Sequence, residues 1–157
     1  MFSVGPICQA DAVAIASWIY ADPYTLYNHA PDRREAVARD MLDPAQCYCV
    51  LKDSSGGVVA FACCGRSARV KGGEYSAGCI DIGLGLRPML TGQGLGRSVV
   101  AAVLEWVQRS APGQRPRVTI AAFNIRAQRV WQDIGLVQTQ QFARPSDGTR
   151  FVILEQM

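Results

Sequence analysis

Residues 86–96, which read LRPMLTGQGLG, decide how this chain folds. They follow an apolar run at 80–86 that predicts a β-strand, and they lead into a segment with helical periodicity. Glycines at alternate positions leave the backbone N–H groups of the loop uncovered. The unpaired N–H groups of the first helical turn and the positive end of the helix dipole add to them. The loop therefore predicts a binding site for an anionic group such as a pyrophosphate.

The segments on either side extend this loop into a strand–helix–strand crossover. A strand at 80–86, a helix at 94–110 and a strand at 117–122 have the order of a right-handed βαβ unit, which makes the two strands parallel. Earlier strands at 47–51 and 58–64 are joined by a glycine-containing turn and must pair antiparallel. We therefore expect an α/β (α+β) chain with a mixed, mostly antiparallel sheet.

The remaining elements follow from local patterns, and all 157 residues are expected to form one domain. Asp32 and Asn124 are predicted helix N-caps, and Gly135 is the glycine expected just after a helix. The expected elements are a strand at 2–7, helices at 9–20, 32–41 and 124–135, and closing strands at 136–142 and 150–154.

Composition and charge exclude several classes of protein. A net charge of +3 is too weak to indicate nucleic-acid binding without a local cluster of cations. Arg97, Arg126 and Arg129 follow the glycine loop, either as anion ligands or as a solvated helix face. No apolar stretch is long enough to span a bilayer. Residues 1–4 lack the pattern of a signal peptide, so a cytoplasmic location is expected by default.

Six cysteines raise the question of a metal site or disulfides. Cys47 and Cys49 are separated by one residue in a predicted strand, no C-x-x-C pair occurs, and His29 is the single histidine. This pattern lacks the ligand spacing of a zinc site, so no metal is expected. Cys8, Cys63 and Cys79 lie in apolar runs and are predicted to be small buried side chains.

Two motifs together resemble the GNAT superfamily of acetyl-CoA-dependent N-acetyltransferases. The family signature Arg/Gln-x-x-Gly-x-Gly/Ala corresponds to TGQGLG at 91–96, and its Asn-x-x-Ala-x-x-x-Tyr-x-x-x-Gly-Phe pattern corresponds to NIRAQRVWQDIGL at 124–136. A dinucleotide-binding or Walker loop fits neither the position nor the residues. The resemblance covers nearly the whole chain. It implies a GNAT-like sheet of about six to seven strands flanked by about four helices.

The resemblance also implies an activity and a set of cofactor contacts. Acetyl-CoA would donate its acetyl group directly to a primary amine of a small molecule or of a peptide or protein N-terminus. The backbone at Leu84 and Leu86 would hold the pantetheine arm, with the Leu84 N–H as oxyanion donor. Gly83 and Gly85 would allow close approach and a bulge. The cofactor-binding residues expected are Leu84, Gly85, Leu86, Thr91, Gly92, Gln93, Gly94, Leu95, Gly96, Arg97, Asn124, Ala127 and Trp131.

Two residues depart from the family pattern. Thr91 replaces the usual Arg or Gln, although its hydroxyl can still donate a hydrogen bond. Trp131 replaces the tyrosine that protonates the departing thiolate in many members, and an indole N–H cannot act as an acid near neutral pH. The candidate bases are Asp81, on the strand before the loop, and its rivals Glu74 and Tyr75 on the preceding segment.

The family varies the segment between the first two helices to select acceptors. The aromatic residues of that segment form either an acceptor-pocket wall or a packed loop. The candidate pocket residues are Tyr20, Tyr24, Tyr27, Asn28 and His29.

Two other functions stay open beside the enzyme. A non-catalytic acetyl-CoA-binding module or sensor would keep the loop and lack the acid. Trp131, at the position of the usual tyrosine, is the feature that supports this hypothesis. A structural or interaction protein with a chance glycine loop is the third hypothesis. The partners expected of the enzyme are acetyl-CoA and an amine acceptor, with no nucleic acid and no membrane, and a homodimer is allowed.

Overall fold

The structure is a computed structural model that describes residues 2–157; Met1 of the expected domain 1–157 lies outside the described residues. Over this range the chain forms seven β-strands and four α-helices. In chain order they are β1 (Ser3–Pro6), α1 (Gln9–Ala16), α2 (Arg34–Leu42), β2 (Tyr48–Lys52), β3 (Val58–Cys64), β4 (Cys79–Leu86), α3 (Gly96–Ser110), β5 (Arg115–Ala121), α4 (Ile125–Asp133), β6 (Leu136–Ala143) and β7 (Arg150–Gln156).

All seven strands join one sheet in the order β1-β2-β3-β4-β5-β7-β6. The central β4–β5 pair is parallel, and every other neighbouring pair is antiparallel. Helix α3 connects the parallel pair, as a βαβ crossover requires. The expected mixed sheet and its parallel crossover are confirmed.

The two parallel strands stay together for only part of their length. Their register runs from Cys79 opposite Arg115 to Ile82 opposite Val118. Beyond that point β4 stays with β3 as far as Leu86, while β5 continues with β7. The sheet therefore splays, and a gap opens between residues 83–86 of β4 and 119–121 of β5.

Helices cover both faces of this sheet. Val99, Val103 and Val107 of α3 are buried with Trp131 of α4 on one face. On the other face, a smaller cluster joins α1 and α2 to β2 through Ala12, Ile15, Ala38, Met41 and Val50. Full burial of one such aliphatic side chain contributes about 1.5–3 kcal/mol, so both layers stabilise the splayed sheet.

Helices α1 and α2 are shorter than expected. Helix α1 ends at Ala16 instead of residue 20, and Ile19 beyond it is 58% exposed, so the apolar periodicity does not continue. Helix α2 starts at Arg34 because Pro31 opens a single 3₁₀ turn over 31–33. Asp32 lies inside that turn and is not the N-cap.

The crossover elements also differ at their ends. Helix α3 begins at Gly96 instead of residue 94, because Gly94 has φ +77°, which a right-handed helix cannot contain. Strand β5 begins at Arg115 and includes Pro116, which was expected to precede it. Proline is tolerated there because pairing with β7 starts only at Arg117, so the missing N–H costs no ladder bond.

The predicted ends of α4 are correct. The Asn124 side chain accepts a hydrogen bond from the Ala127 N–H and caps the helix. Gly135 follows the helix with φ +102°, the left-handed conformation that favours glycine.

The six cysteines are all free thiols. Cys63 and Cys79 are buried as predicted, but Cys8 is exposed because it lies just before α1 and outside the core. Within residues 2–157, no cluster of His, Cys, Asp or Glu side chains is arranged to hold a metal ion. No helix in that range combines the length and the apolar character needed to cross a bilayer.

Gly83 and Gly85 make room for side chains of the neighbouring strand. A Cβ on Gly85 would overlap the Phe61 ring, and one on Gly83 would lie 2.7 Å from the Cys63 Sγ. The β3–β4 register is unbroken over this stretch, so the expected bulge is absent there. The splay arises because β5 departs, while β4 itself stays regular.

We predict that Gly85→Ala lowers the melting temperature by several degrees. The added methyl group displaces the Phe61 ring, and overpacking of this kind costs about 1–3 kcal/mol. Gly5→Ala is the matched control in β1, where a Cβ meets no atom within 4 Å. Thermal unfolding of both variants checks this, and equal melting temperatures would contradict the packing argument.

Candidate active site

The gap between β4 and β5 opens into a cleft of about 650 Å³. Its walls come from the segment between α1 and α2, the ends of the two splayed strands, the glycine loop and the start of α4. We call this space the cleft.

The glycine loop presents unpaired amides at one end of the cleft. Gly92 and Gly94 have φ of +74° and +77°, so glycine is required for this turn. The first backbone bond of α3 is from the Val99 N–H to the Leu95 C=O. Among the residues that the structure describes, none accepts a hydrogen bond from the amides of residues 92–98. The loop can therefore donate several N–H groups to an anion.

The third glycine of the loop has a packing role. A Cβ on Gly96 would lie 3.0 Å from the Val130 Cγ2, so glycine lets α3 approach α4 closely. Two of the three glycines thus shape the loop, and the third positions it against the neighbouring helix.

Three side chains predicted to contact the cofactor are bonded within the protein. The Thr91 hydroxyl donates to the Pro88 C=O at 2.8 Å, and the Gln93 amide donates to Met89 at 2.8 Å. Arg97 pairs with Asp133 at 2.8 Å, and both side chains are exposed. Of these three, only Thr91 lines the cleft.

Arg126 is the cation that the structure brings to the loop. Its Nη1 lies 3.4 Å from the position of a Cβ on Gly92, and its guanidinium stands 4.4 Å from the centroid of the Tyr24 ring. In residues 2–157 it has no carboxylate within salt-bridge distance. The sequence left open whether Arg126 and Arg129 bind an anion or form a solvated helix face. Of these two residues, Arg126 lines the cleft and Arg129 does not.

The backbone of β4 turns polar groups toward the gap. The Arg87 N–H donates to the Val59 C=O of β3 at 2.8 Å. Because main-chain groups alternate sides along a strand, the N–H and C=O of Leu84 and Leu86 face away from β3. The Tyr20 hydroxyl, which donates to the Leu86 C=O at 2.6 Å, lies on that side.

Asn124, Ala127 and Trp131 of the second motif all line the cleft. Besides capping α4, the Asn124 side chain donates through Nδ2 to the Tyr27 hydroxyl at 2.9 Å. Trp131 is 4% exposed and packs into the main core. The structure thus joins the cofactor motif to the aromatic segment through one asparagine.

The five residues of the candidate acceptor pocket all line the cleft. The Asn28 side chain accepts from the Tyr20 N–H at 2.7 Å and donates to the Tyr20 C=O at 3.1 Å, which closes the segment on itself. Tyr20 reaches β4, and Tyr27 reaches α4 through Asn124. The segment is therefore both a packed loop and a cleft wall.

Burial changes the acidity of three groups in this wall. Desolvation raises the pKa of Tyr20 and Tyr27 above the ordinary range of a phenol. Desolvation, helped by the charge of Arg34, lowers the pKa of His29 below its usual value. The imidazole is therefore neutral at pH 7.

Asp81 lies outside the residues that line the cleft and is 1% exposed. Its Oδ1 accepts from Arg117 Nε at 2.6 Å, and its Oδ2 accepts from Arg117 Nη2 at 2.9 Å and Arg69 Nε at 2.8 Å. Both carboxylate oxygens are therefore engaged by arginine N–H donors, and the group does not border the cleft where an amine would bind. We therefore assign Asp81 a structural role.

The rival bases are also outside the cleft. Glu74 is exposed, and its backbone exchanges hydrogen bonds with the Gln140 side chain. The Tyr75 hydroxyl lies 2.9 Å from Thr119 Oγ1, and the guanidinium groups of Arg69 and Arg117 flank its ring. Neither residue is brought to the candidate acceptor pocket.

Arg117 is the residue that sequence reasoning missed. It is fully buried and lies directly opposite Asp81 in the β4–β5 register, one position before the pairing ends. Its Nη1 also donates to the Ser76 C=O and to Glu155. An arginine inside an apolar strand, opposite an aspartate in the predicted parallel partner, was the available signal.

Residues 4–137 match the family model described as an acetyltransferase (GNAT) domain. No curated protein matches the chain. Several solved structures share the fold over nearly their full length. A GnaT-family acetyltransferase from Bordetella pertussis superposes with a TM-score of 0.71 at 20% identity, covering 99% of this chain and 95% of that one.

Two further structures are similar in fold. AAC(6')-Ib in complex with Parmomycin and AcetylCoA has a TM-score of 0.77 at 18% identity, covering 99% of this chain and 93% of that one. A spermidine N-acetyltransferase SpeG chimera from Vibrio cholerae and hSSAT has a TM-score of 0.71 at 12% identity, covering 99% and 95%. At these identities the likeness establishes the fold.

We predict that Asp81→Asn strongly destabilises the protein, because the buried Arg117 loses its bidentate carboxylate partner and keeps the more distant Glu155 as a counter-charge. Breaking a buried ion pair from one side costs about 3–5 kcal/mol. The control is Glu105→Gln, which removes an exposed pair with Arg109 on α3 and should change stability by less than about 0.5 kcal/mol. Urea unfolding measures both, and a small loss for Asp81→Asn would show that the pair is dispensable.

Proposed function

We propose that this chain, which belongs to the GNAT acetyltransferase family, transfers the acetyl group of acetyl-CoA directly to a primary amine of a small molecule or a peptide N-terminus. The observation that carries the proposal is the set of unpaired amides at residues 92–98, placed at the end of a gap between two splayed parallel strands. An anionic group on the loop and an extended arm in the gap would together satisfy these backbone groups.

The residues present fit acetyl-CoA. The amides of 92–98 and the unpaired guanidinium of Arg126 would hold its diphosphate. The gap-facing backbone of Leu84 and Leu86 would bind the pantetheine arm. The Leu84 N–H would then stabilise the negative charge that develops on the thioester oxygen, which is the chemistry that acyl transfer requires.

Tyr27 would supply the proton that Trp131 cannot. The Tyr20 hydroxyl already donates its proton to Leu86, whereas the Tyr27 hydroxyl accepts from Asn124 and keeps its own proton free in the described part of the chain. The same Asn124 N–H would stabilise the phenolate left behind. We therefore propose Tyr27 as the acid that protonates the departing thiolate sulfur.

His29 is the side chain of the cleft wall suited to accept a proton from the amine. Its pKa is lowered by burial, so the imidazole is unprotonated at pH 7. The apolar wall also favours the uncharged form of a bound amine, which reduces the work asked of a base.

The second candidate function is a non-catalytic acetyl-CoA sensor. The buried Trp131 at the position of the usual tyrosine favours it. If acetyl-CoA binds but no CoA is released with any amine, the protein is the sensor. If acetyl-CoA does not bind and no turnover occurs, the protein is the structural one. A cytoplasmic location and a homodimer stay predictions.

We predict that Gly94→Ala weakens acetyl-CoA binding by about tenfold, because a left-handed residue with a Cβ costs about 1–2 kcal/mol and the loop would move its amides to escape that strain. Gly148→Ala is the matched control: its φ is +73°, its Cβ also meets open space, and it lies in the β6–β7 turn. Calorimetric titration should show the loss in Gly94→Ala only. An equal Kd in both variants would reject the loop as the binding site.

We predict that Tyr27→Phe lowers kcat by about 10²-fold, the contribution typical of one positioned acid, and leaves the acetyl-CoA Kd unchanged. Steady-state kinetics and calorimetry on the same preparation separate these quantities. If kcat is retained, the Tyr27 hydroxyl is not the acid. If Kd and melting temperature change together with kcat, the hydroxyl has a structural role.

A further inference from the structure

The charges around the cleft are all of one sign. Among the cleft-lining residues that the structure describes, none is an aspartate or a glutamate, and the charged ones are Arg126 and Arg144. Arg144 donates two hydrogen bonds to Asp147, a half-exposed carboxylate of the β6–β7 turn that does not line the cleft. Arg126 stands at the glycine loop. A cation in the cleft would therefore meet no side-chain counter-charge.

The walls at the candidate acceptor end are aromatic. The Phe61 ring lies 6.0 Å from the rings of both Trp18 and Tyr48, measured between centroids. Phe61 also fills the space beside Gly85, so this aromatic group borders the strand that faces the gap. Ile15 and Met41 from α1 and α2 complete an apolar surface.

We propose that the acceptor is a monoamine with an apolar, preferably aromatic body, and that polyamines are excluded; this rests on the proposed acetyl transfer. The reacting nitrogen becomes uncharged before it attacks, so it enters an apolar pocket at little cost. A second ammonium group would lose its hydration there without meeting a carboxylate, and the arginines would repel it. The aromatic wall instead favours apolar surface on the body of the acceptor.

Pairs of monoamines and diamines that share the same body test the effect of a second amino group. Benzylamine is compared with p-xylylenediamine, and hexylamine with hexamethylenediamine, with spermidine as a further polyamine. CoA release from acetyl-CoA by the full chain is followed for each amine. We expect kcat/KM at least about tenfold higher for each monoamine than for its diamine. Benzylamine should also raise the melting temperature more than p-xylylenediamine does, a readout that requires no turnover.

A pair of variants places a charge in the wall. Leu26 lines the cleft and is half-buried. Leu26→Glu should move the preference toward the diamines by about tenfold, whereas Leu26→Gln, of the same shape and uncharged, should keep the monoamine preference. Equal ratios for Glu and Gln would overturn the role assigned to charge.

The failure of this inference differs from the failure of the proposed function. Turnover of spermidine or the diamines in preference to the monoamines overturns the acceptor class and leaves acetyl transfer intact. If acetyl-CoA binds but CoA is not released with any of the amines, the proposed transfer itself is overturned.

Discussion

The bidentate pair between Asp81 and Arg117 is the interaction on which the splayed sheet depends. It joins the two parallel strands at the last step before their pairing ends. Both groups are buried, so each needs nearly all of its hydrogen-bonding atoms occupied; Arg69, Ser76 and Glu155 supply the rest. The strands are thus held firmly on one side of this point and are free to diverge on the other.

The divergence creates two chemically different ends of one cleft. Backbone amides and Arg126 gather where α3 begins, which suits a phosphorylated ligand. Aromatic rings gather under α1 and α2, which suits an apolar one. The tyrosines of the intervening segment connect the two, because Tyr20 bonds to β4 and Tyr27 bonds to the asparagine that opens α4. Hydrogen bonds of this segment therefore connect the residues at the two ends of the cleft.

Local sequence patterns predicted the elements well where the structure depends on interactions within a short stretch of chain. The turn before β3, the Asn124 cap and Gly135 are such cases, since each acts through neighbours a few residues away. The predicted helix limits at residues 20 and 32 were wrong. The exclusion of Pro116 from β5 was also wrong, because whether proline is tolerated there depends on which strands lie alongside. The bulge expected at Gly83 and Gly85 failed for the same reason: Cys63 and Phe61 from β3 occupy that space.

The sequence by itself determined the family, the crossover and the loop of exposed amides, because these are encoded in residues close together along the chain. Only the tertiary structure decided what the side chains around the cleft do. Asp81 looked like a free carboxylate until the register placed Arg117, 36 residues later, directly opposite it. Tyr27 looked like one aromatic among several until folding brought Asn124 to its hydroxyl. Charge and acidity depend on neighbours in space, and those neighbours lie far apart in sequence.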